Sequence, residues 1–280
     1  TGICNHAYTG TAYEKECCYC RFLNHPGKKD LSYKTFVRKQ EIYKNADVCF
    51  VAVSHWLAEK ARCSALLQGK CIKVIPNTLS PSQFVIMDKA ESRKHLGLPD
   101  KNIIIFGAAR IDDSIKGFPL LVGAMKYLVE MGKIQKESLH LVLFGNIKSD
   151  RECFLSAIPV SYTYAGVVSA DQLACFYSAS DVVVSSSYYE TFGQTLIEAQ
   201  ACGCLSVSWN NSGQSDIIRH KENGFLAEYL SQESLAEGVL WALTEGKDNI
   251  SREDLRTDVI NRFSEENVAR QTIELYKSLV

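Results

Sequence analysis

From residue 100 onward, apolar runs of strand length alternate with stretches of helical spacing, and few architectures accommodate that alternation. The runs lie at 103–108, 141–144, 162–165, 182–185, 205–208 and 225–227. Between them, 118–131, 170–178, the segment after Glu190 and a short stretch near Asp216 have helical spacing. Short Ile/Val/Leu-rich strands separated by helices argue for an α/β fold, a parallel sheet with helices on both faces. Ligands of such sheets sit beyond the carboxyl ends of the strands. Three features fall there: Arg110 after the first run, Gly145-Asn146 after the second, and Glu190 after the fourth.

Upstream, 48–53 reads as a strand, 57–67 as a helix capped by Ser54, and 72–75 as a second strand punctuated by Pro76-Asn77. The irregular residues 81–89 read as a linker, which places a domain boundary near residue 84. Residues 1–83 are therefore expected to form one domain and 84–262 another. Residues 263–280 are expected to form a helix that packs back on the first, with Val268, Ile273, Leu275 and Leu279 on its apolar side. A chain of 280 residues that is 46% hydrophobic can fill real cores. Its net charge of −1 offers no global attraction to nucleic acid, and no such partner is expected. No apolar run approaches the ~20 residues that span a bilayer, and no secretory signal is present, so a cytoplasmic address is expected. The start, Thr1-Gly-Ile-Cys4, lacks an initiator methionine and reads as a fragment or a processed chain.

The stretch from Ser187 to Gly203 reads as a site. Thr191 and Gln194 have the spacing of a capping box, so a helix is expected to start at Phe192 and to stop at Gly203. Glu190 then precedes the helix and Glu198 lies about two turns into it, while the N–H groups of Phe192, Gly193 and Gln194 stay free for an anionic or hydroxylated group. Arg110 and Lys116 bracket a five-residue loop followed by Gly117, a clamp suited to a diphosphate. Each of these charges alone has a plainer explanation as a solvated residue. Their coincidence favours a nucleotide diphosphate carrying a hydroxyl-rich group.

On these motifs the chain resembles the retaining glycosyltransferases of the GT4 family. Arg110, Lys116-Gly117, Gly145, Gly166, Glu190-Thr-Phe-Gly, Glu198-Ala-Gln-Ala-Cys-Gly203, Ser212-Gly213 and Asp216-Ile-Ile follow the family's order. The resemblance implies a GT-B architecture, with a complete C-terminal Rossmann-like domain and the C-terminal part of the N-terminal one. It further implies a nucleotide-diphosphate sugar as substrate, with Glu190 and the 192–194 backbone on the sugar, Glu198 on the ribose, Arg110 and Lys116 on the diphosphate, and Gly145 and Val168 in the donor pocket. No metal or other cofactor is implied. Thr1-Gly-Ile-Cys4, Cys17 to Cys20 and Ser54-His-Trp-Leu57 resemble a narrower bacterial group that builds capsular, exopolysaccharide or lipopolysaccharide chains. In that group a His-Asp pair precedes the first of these segments, so an N-terminal truncation is expected. Ser186 and Leu205 stand where the family has proline.

Several features lie beside that reading. Of eleven cysteines, Cys49, Cys63, Cys71, Cys153, Cys175, Cys202 and Cys204 are dispersed among apolar segments and read as buried thiols in a reducing compartment. Cys17 and Cys20 with Cys4 or His6 have metal-ligand spacing, but a metal-free or disulfide-containing loop accounts for them equally well. The basic segment 21–44 suits either an anionic lipid-linked acceptor at the inner membrane face or a solvated helical surface. Tyr188, Tyr189 and Trp209 are placed either to stack on a ligand or to pack. The expected function is transfer of a hexose, with retention, to a glycan or lipid-linked acceptor in cell-surface polysaccharide biosynthesis. A donor-binding fragment or inactive homologue without turnover, and a nucleotide-sugar epimerase on the same scaffold, stay open as alternatives.

Overall fold

Apolar runs upstream of Pro76 form a small parallel pair, and those downstream form a larger sheet. The computed structural model describes residues 10–132 and 134–279. The chain divides into two units, Thr1–Pro76 and Asn77–Val280.

In the first unit, α1 (Leu31–Asn45) starts at Asp30, whose carboxylate accepts from the amides of Tyr33, Cys20 and Gly27 and from the Ser32 hydroxyl. One side chain thus caps the helix and ties the cysteine-rich loop to it. β1 (Cys49–Ala52) leads through α2 (His55–Arg62) to β2 (Cys71–Val74). Ser54 caps α2 by accepting from the Leu57 amide, as its position suggested, but the helix ends at Arg62, short of the expected 67.

β1 and β2 pair in parallel with Cys49 opposite Cys71, their Cα atoms 4.6 Å apart, and the two sulfurs are bonded. This corrects the reading of seven buried thiols. Cys49 and Cys71 are joined because register sets them side by side, Cys63 and Cys153 are exposed, Cys175 is half-buried, and only Cys202 and Cys204 are buried. With two of the seven joined, the cysteine pattern does not argue for a reducing compartment. Cys4 and His6 lie outside the described residues. Among the described residues, no group of three or more His, Cys, Asp or Glu side chains is disposed to hold a metal.

In the second unit, α3 (Lys89–Leu96) is capped by Asp88 and stopped by Gly97 in the left-handed region. It leads into β3 (Asn102–Arg110), α4 (Phe118–Glu130), β4 (Leu139–Asn146), α5 (Arg151–Ser156), β5 (Ser161–Gly166), α6 (Ala170–Ala179), β6 (Val182–Ser185), α7 (Gln194–Ala201), β7 (Leu205–Trp209) and β8 (Gly224–Ala227). α8 (Gln232–Trp241) passes through a π turn (Ala242–Gly246) into the short α9 (Lys247–Asn249), followed by α10 (Arg252–Phe263) and α11 (Glu265–Ser278). Among the described residues the strands form one parallel sheet in the order β5-β4-β3-β6-β7-β8. Ile103, Ile104 and Ile105 are all fully buried although alternate side chains point to opposite faces, so helices cover both. Each such side chain contributes roughly 1.5–3 kcal/mol of burial, which fixes the central strands firmly.

Residues 77–88 belong to the second unit. Arg256 of α10 donates to the carbonyls of Pro81, Phe84 and Ala201, and Arg252 to those of Met87, Ser178 and Cys202. The division therefore falls at 76/77 rather than near 84, because two arginines bind the intervening segment down. The helix expected over 263–280 is α11 (Glu265–Ser278), preceded by α10. The chain turns at Ser264, where Leu79 exchanges backbone hydrogen bonds with Phe263 and Glu265, and α11 packs on α10 within the second unit.

Candidate functional site

Strand order reverses between β3 and β6, because β4 and β5 extend to one side of β3 while β6, β7 and β8 extend to the other. Connections leaving the two central strands diverge there, and a crevice opens beyond their carboxyl ends. A cavity of about 160 Å³ occupies it, lined by Gly107 to Ala109 of β3, Ser185 of β6, Lys116, Ser187, Glu190, and Gly193 to Thr195 at the start of α7.

The cavity's two charged walls meet. Lys116 Nζ donates to Glu190 Oε1 at 2.7 Å, with about a quarter of each side chain exposed. The Ser187 hydroxyl donates to the same carboxylate oxygen at 2.9 Å. Backbone holds both residues in place. Asp113 caps the turn Ser114–Lys116, and Gly117 follows at φ 66°, where an added Cβ would stand 2.0 Å from the Ser186 carbonyl oxygen. That close approach needs glycine. The Ser186 hydroxyl donates to the carbonyls of Lys116 and Gly117, and the Tyr188 amide to that of Ile115, so the two loops are strapped together. On the far side, the Glu190 amide donates to the Ser212 hydroxyl and the Gly213 amide to the Glu190 carbonyl.

α7 begins at Gln194, not Phe192, and the Thr191/Gln194 capping box is not made. Phe192 is drawn into the core against Phe263, and the chain turns at Gly193 with φ 121°, so residues 191–192 cannot be the first helical turn. Gln194 instead donates to the Thr78 carbonyl. No side chain caps α7, and Gly193 to Thr195 at its start line the cavity. Gly203, at φ 75°, ends the helix as expected.

Arg110 and Glu198 do not line the cavity. Arg110 pairs through Nε with Asp112 Oδ1 at 3.0 Å, and its side chain is 45% exposed against 4% for Asp112. Burial works to raise the Asp112 pKa but is outweighed by the Ser149 and Lys148 amides and by Arg110, which hold it to about 2. Glu198 is half-buried on α7 and accepts from the Tyr177 hydroxyl at 3.3 Å. Burial pushes its pKa up to about 7 against the opposing hydrogen bonds from Tyr177 and Gln194. Gly145 stands at the end of β4 with φ 120°, and a Cβ there would collide with the Ala108 carbonyl, so it is a packing requirement of the crevice. Val168 is half-buried in the turn between β5 and α6.

Trp209 is fully buried in the core and unavailable for stacking, because β7 is covered on both faces. The sequence placed Ser187 at the start of the site stretch and Ser212 in the family's motif order but gave neither a role, and it gave none to Asp112. A serine three residues before a site glutamate was a legible signal. The other two depend on contacts across the fold.

This is the GT-B kind of α/β unit, a doubly wound parallel sheet with a polar cavity at its reversal. The chain belongs to the family described as glycosyl transferases group 1, whose model matches residues 88–262. It is 27% identical to an uncharacterized glycosyltransferase of Methanocaldococcus jannaschii, over 98% of this chain and 70% of that protein. It is 26% identical to the lipopolysaccharide 1,2-N-acetylglucosaminetransferase of Salmonella typhimurium, over 78% of this chain and 60% of that one. Among solved structures, sucrose-phosphate synthase from Thermosynechococcus elongatus superposes with a TM-score of 0.73 and 26% identity, over 90% of this chain and 63% of that one. The chain thus spans about 60–70% of the length of these three proteins.

Proposed function

We propose that the Asn77–Val280 unit binds a nucleotide-diphosphate sugar and that the protein transfers the hexose, with retained configuration, to a glycan or lipid-linked acceptor in cell-surface polysaccharide biosynthesis. The observation that carries this reading is the Lys116–Glu190 pair on the wall of the cavity at the β3/β6 reversal, opposite the uncapped start of α7. A cation and free helix amides suit phosphate oxygens, while a carboxylate and backbone amides suit sugar hydroxyls.

In this reading Glu190 and the 192–194 backbone hold the sugar, Lys116 and Arg110 the diphosphate, and Glu198 the ribose, with Val168 beside the base. The sugar C1–O bond to phosphate breaks, and the acceptor oxygen bonds to C1 on the same face. The acceptor proton passes to the departing diphosphate. Lys116 and the α7 amides stabilise the charge that develops there, so the protein supplies an electrostatic environment and Glu190 forms no covalent bond to the sugar. Turnover needs no metal. The donor site faces the cytoplasm, and the basic segment 21–44, with Lys34 and Arg38 exposed on α1, meets the membrane that carries the acceptor. The relationship to a lipopolysaccharide transferase supports the acceptor class.

The test is a panel of nucleotide sugars with lipid-linked and soluble glycan acceptors, the products analysed by NMR for anomeric configuration. Transfer with retention, unaffected by chelator, is expected. An inverted product, or donor converted to its epimer without acceptor, would refute the reading.

A further inference from the structure

Asp112 and Asp113 follow Arg110 in the loop beyond β3, and the structure uses them differently. Asp113 caps the turn that presents Lys116. Asp112 is a nearly buried carboxylate shared among three donors: Arg110 Nε at 3.0 Å on Oδ1, and the amides of Lys148 at 2.9 Å and Ser149 at 2.7 Å on Oδ2. It therefore bridges the ends of β3 and β4. A register shift between Gly107 and Arg110 brings Arg110 opposite Asn146, and the Ile111 amide donates to the Asn146 carbonyl, which closes the same junction from the backbone side. The terminal nitrogens of Arg110 have no partner among the described residues.

We propose that Asp112 is a positioning residue for the anion-binding clamp: it holds Arg110 by Nε and so presents the guanidinium's two terminal nitrogens to the diphosphate of the donor. The inference rests on the proposed nucleotide-diphosphate site. Gripped at Nε alone, a guanidinium keeps the outer edge of its fork for bidentate recognition of phosphate oxygens. The Lys148 and Ser149 amides occupy the other carboxylate oxygen, so Asp112 cannot rotate to cover that edge. Asparagine cannot replace it. With one acceptor oxygen, an asparagine side chain at this position would serve either the two amides or Arg110, and its NH₂ would face donors on the other side.

The test is titration of the 280-residue chain with UDP, GDP and ADP in four forms: wild type, Asp112→Asn, Arg110→Ala and the double variant. Wild type is expected to bind at least one of the three. Loss of preorganisation of a long side chain weakens binding by roughly two- to tenfold, and Asp112→Asn should show this. In the Arg110→Ala background the same substitution should add no further weakening, because its effect travels through Arg110. Equal weakening by Asp112→Asn in both backgrounds would assign it a general structural role and overturn the proposal. Unchanged affinity in Asp112→Asn would overturn it while leaving the nucleotide site intact. No binding by wild type would remove the site reading and this inference together.

Discussion

Glu198 offers a stability measurement with a definite sign. Burial raises its pKa from 4.5 to about 7 in the folded chain. Between these values the native state holds a proton that the unfolded chain has lost, so stability is fully present below pH 4.5 and declines as pH rises through 7. A shift of that size corresponds to roughly 3.4 kcal/mol at about 1.36 kcal/mol per unit. Of this, about 2.5 kcal/mol should be lost between pH 5 and pH 8, where urea titrations are practicable. Glu198→Gln keeps the side chain's shape and its contact with the Tyr177 hydroxyl but cannot ionise. The assay is urea unfolding of both forms at pH 5, 6, 7 and 8. The wild type should lose about 2.5 kcal/mol relative to the variant over that range, with the steepest change below pH 7. Parallel pH profiles, or a difference of opposite sign, would refute the claim that a desolvated carboxyl sits on α7.

Three further outcomes follow from the geometry. Lys116→Ala leaves the Glu190 carboxylate with Ser187 as its remaining partner and should lower turnover by about 10²–10³-fold, with little change in unfolding midpoint. Gly117→Ala forces a Cβ to 2.0 Å from the Ser186 carbonyl oxygen at a φ of 66°; a loss of at least about 2 kcal/mol in denaturant unfolding is expected, together with reduced activity as Lys116 is displaced. Arg256→Ala abandons the carbonyls of Pro81, Phe84 and Ala201 at once. It should cost about 3 kcal/mol and render residues 77–88 sensitive to limited proteolysis, whereas resistance of that segment in the variant would show that the arginine does not hold it.

The sheet was legible because five of its six strands carry buried apolar runs, and such runs have little other use, while the edge strand β5 is only half-buried and was read from its place in the alternation. Of the candidate site residues, Lys116, Glu190, Gly193 and Gln194 line one cavity, whereas Arg110, Phe192, Glu198, Gly145 and Val168 do not line it. What the sequence concealed depends on long-range contacts. The capping-box spacing at Thr191 is overridden because Phe192 finds Phe263, far along the chain, and a glycine makes the turn instead. The apparent linker is held by arginines of α10, and the side-by-side placement of Cys49 and Cys71 follows from strand register. Asp112 looked like loop filler because its partners, the amides of Lys148 and Ser149, belong to the next strand's connection.

In the proposed function the cavity at the β3/β6 reversal takes the diphosphate of a nucleotide sugar through Lys116, with Glu190 on the sugar. Calorimetric titration of UDP and UDP-glucose, and of the GDP and ADP counterparts, into wild type, Lys116→Ala and Glu190→Ala tests it most directly. Saturable binding by wild type is expected. Lys116→Ala should weaken the diphosphate and the nucleotide sugar alike, by at least about tenfold, and Glu190→Ala should weaken the nucleotide sugar more than the bare diphosphate. Binding that is unchanged in both variants would contradict it.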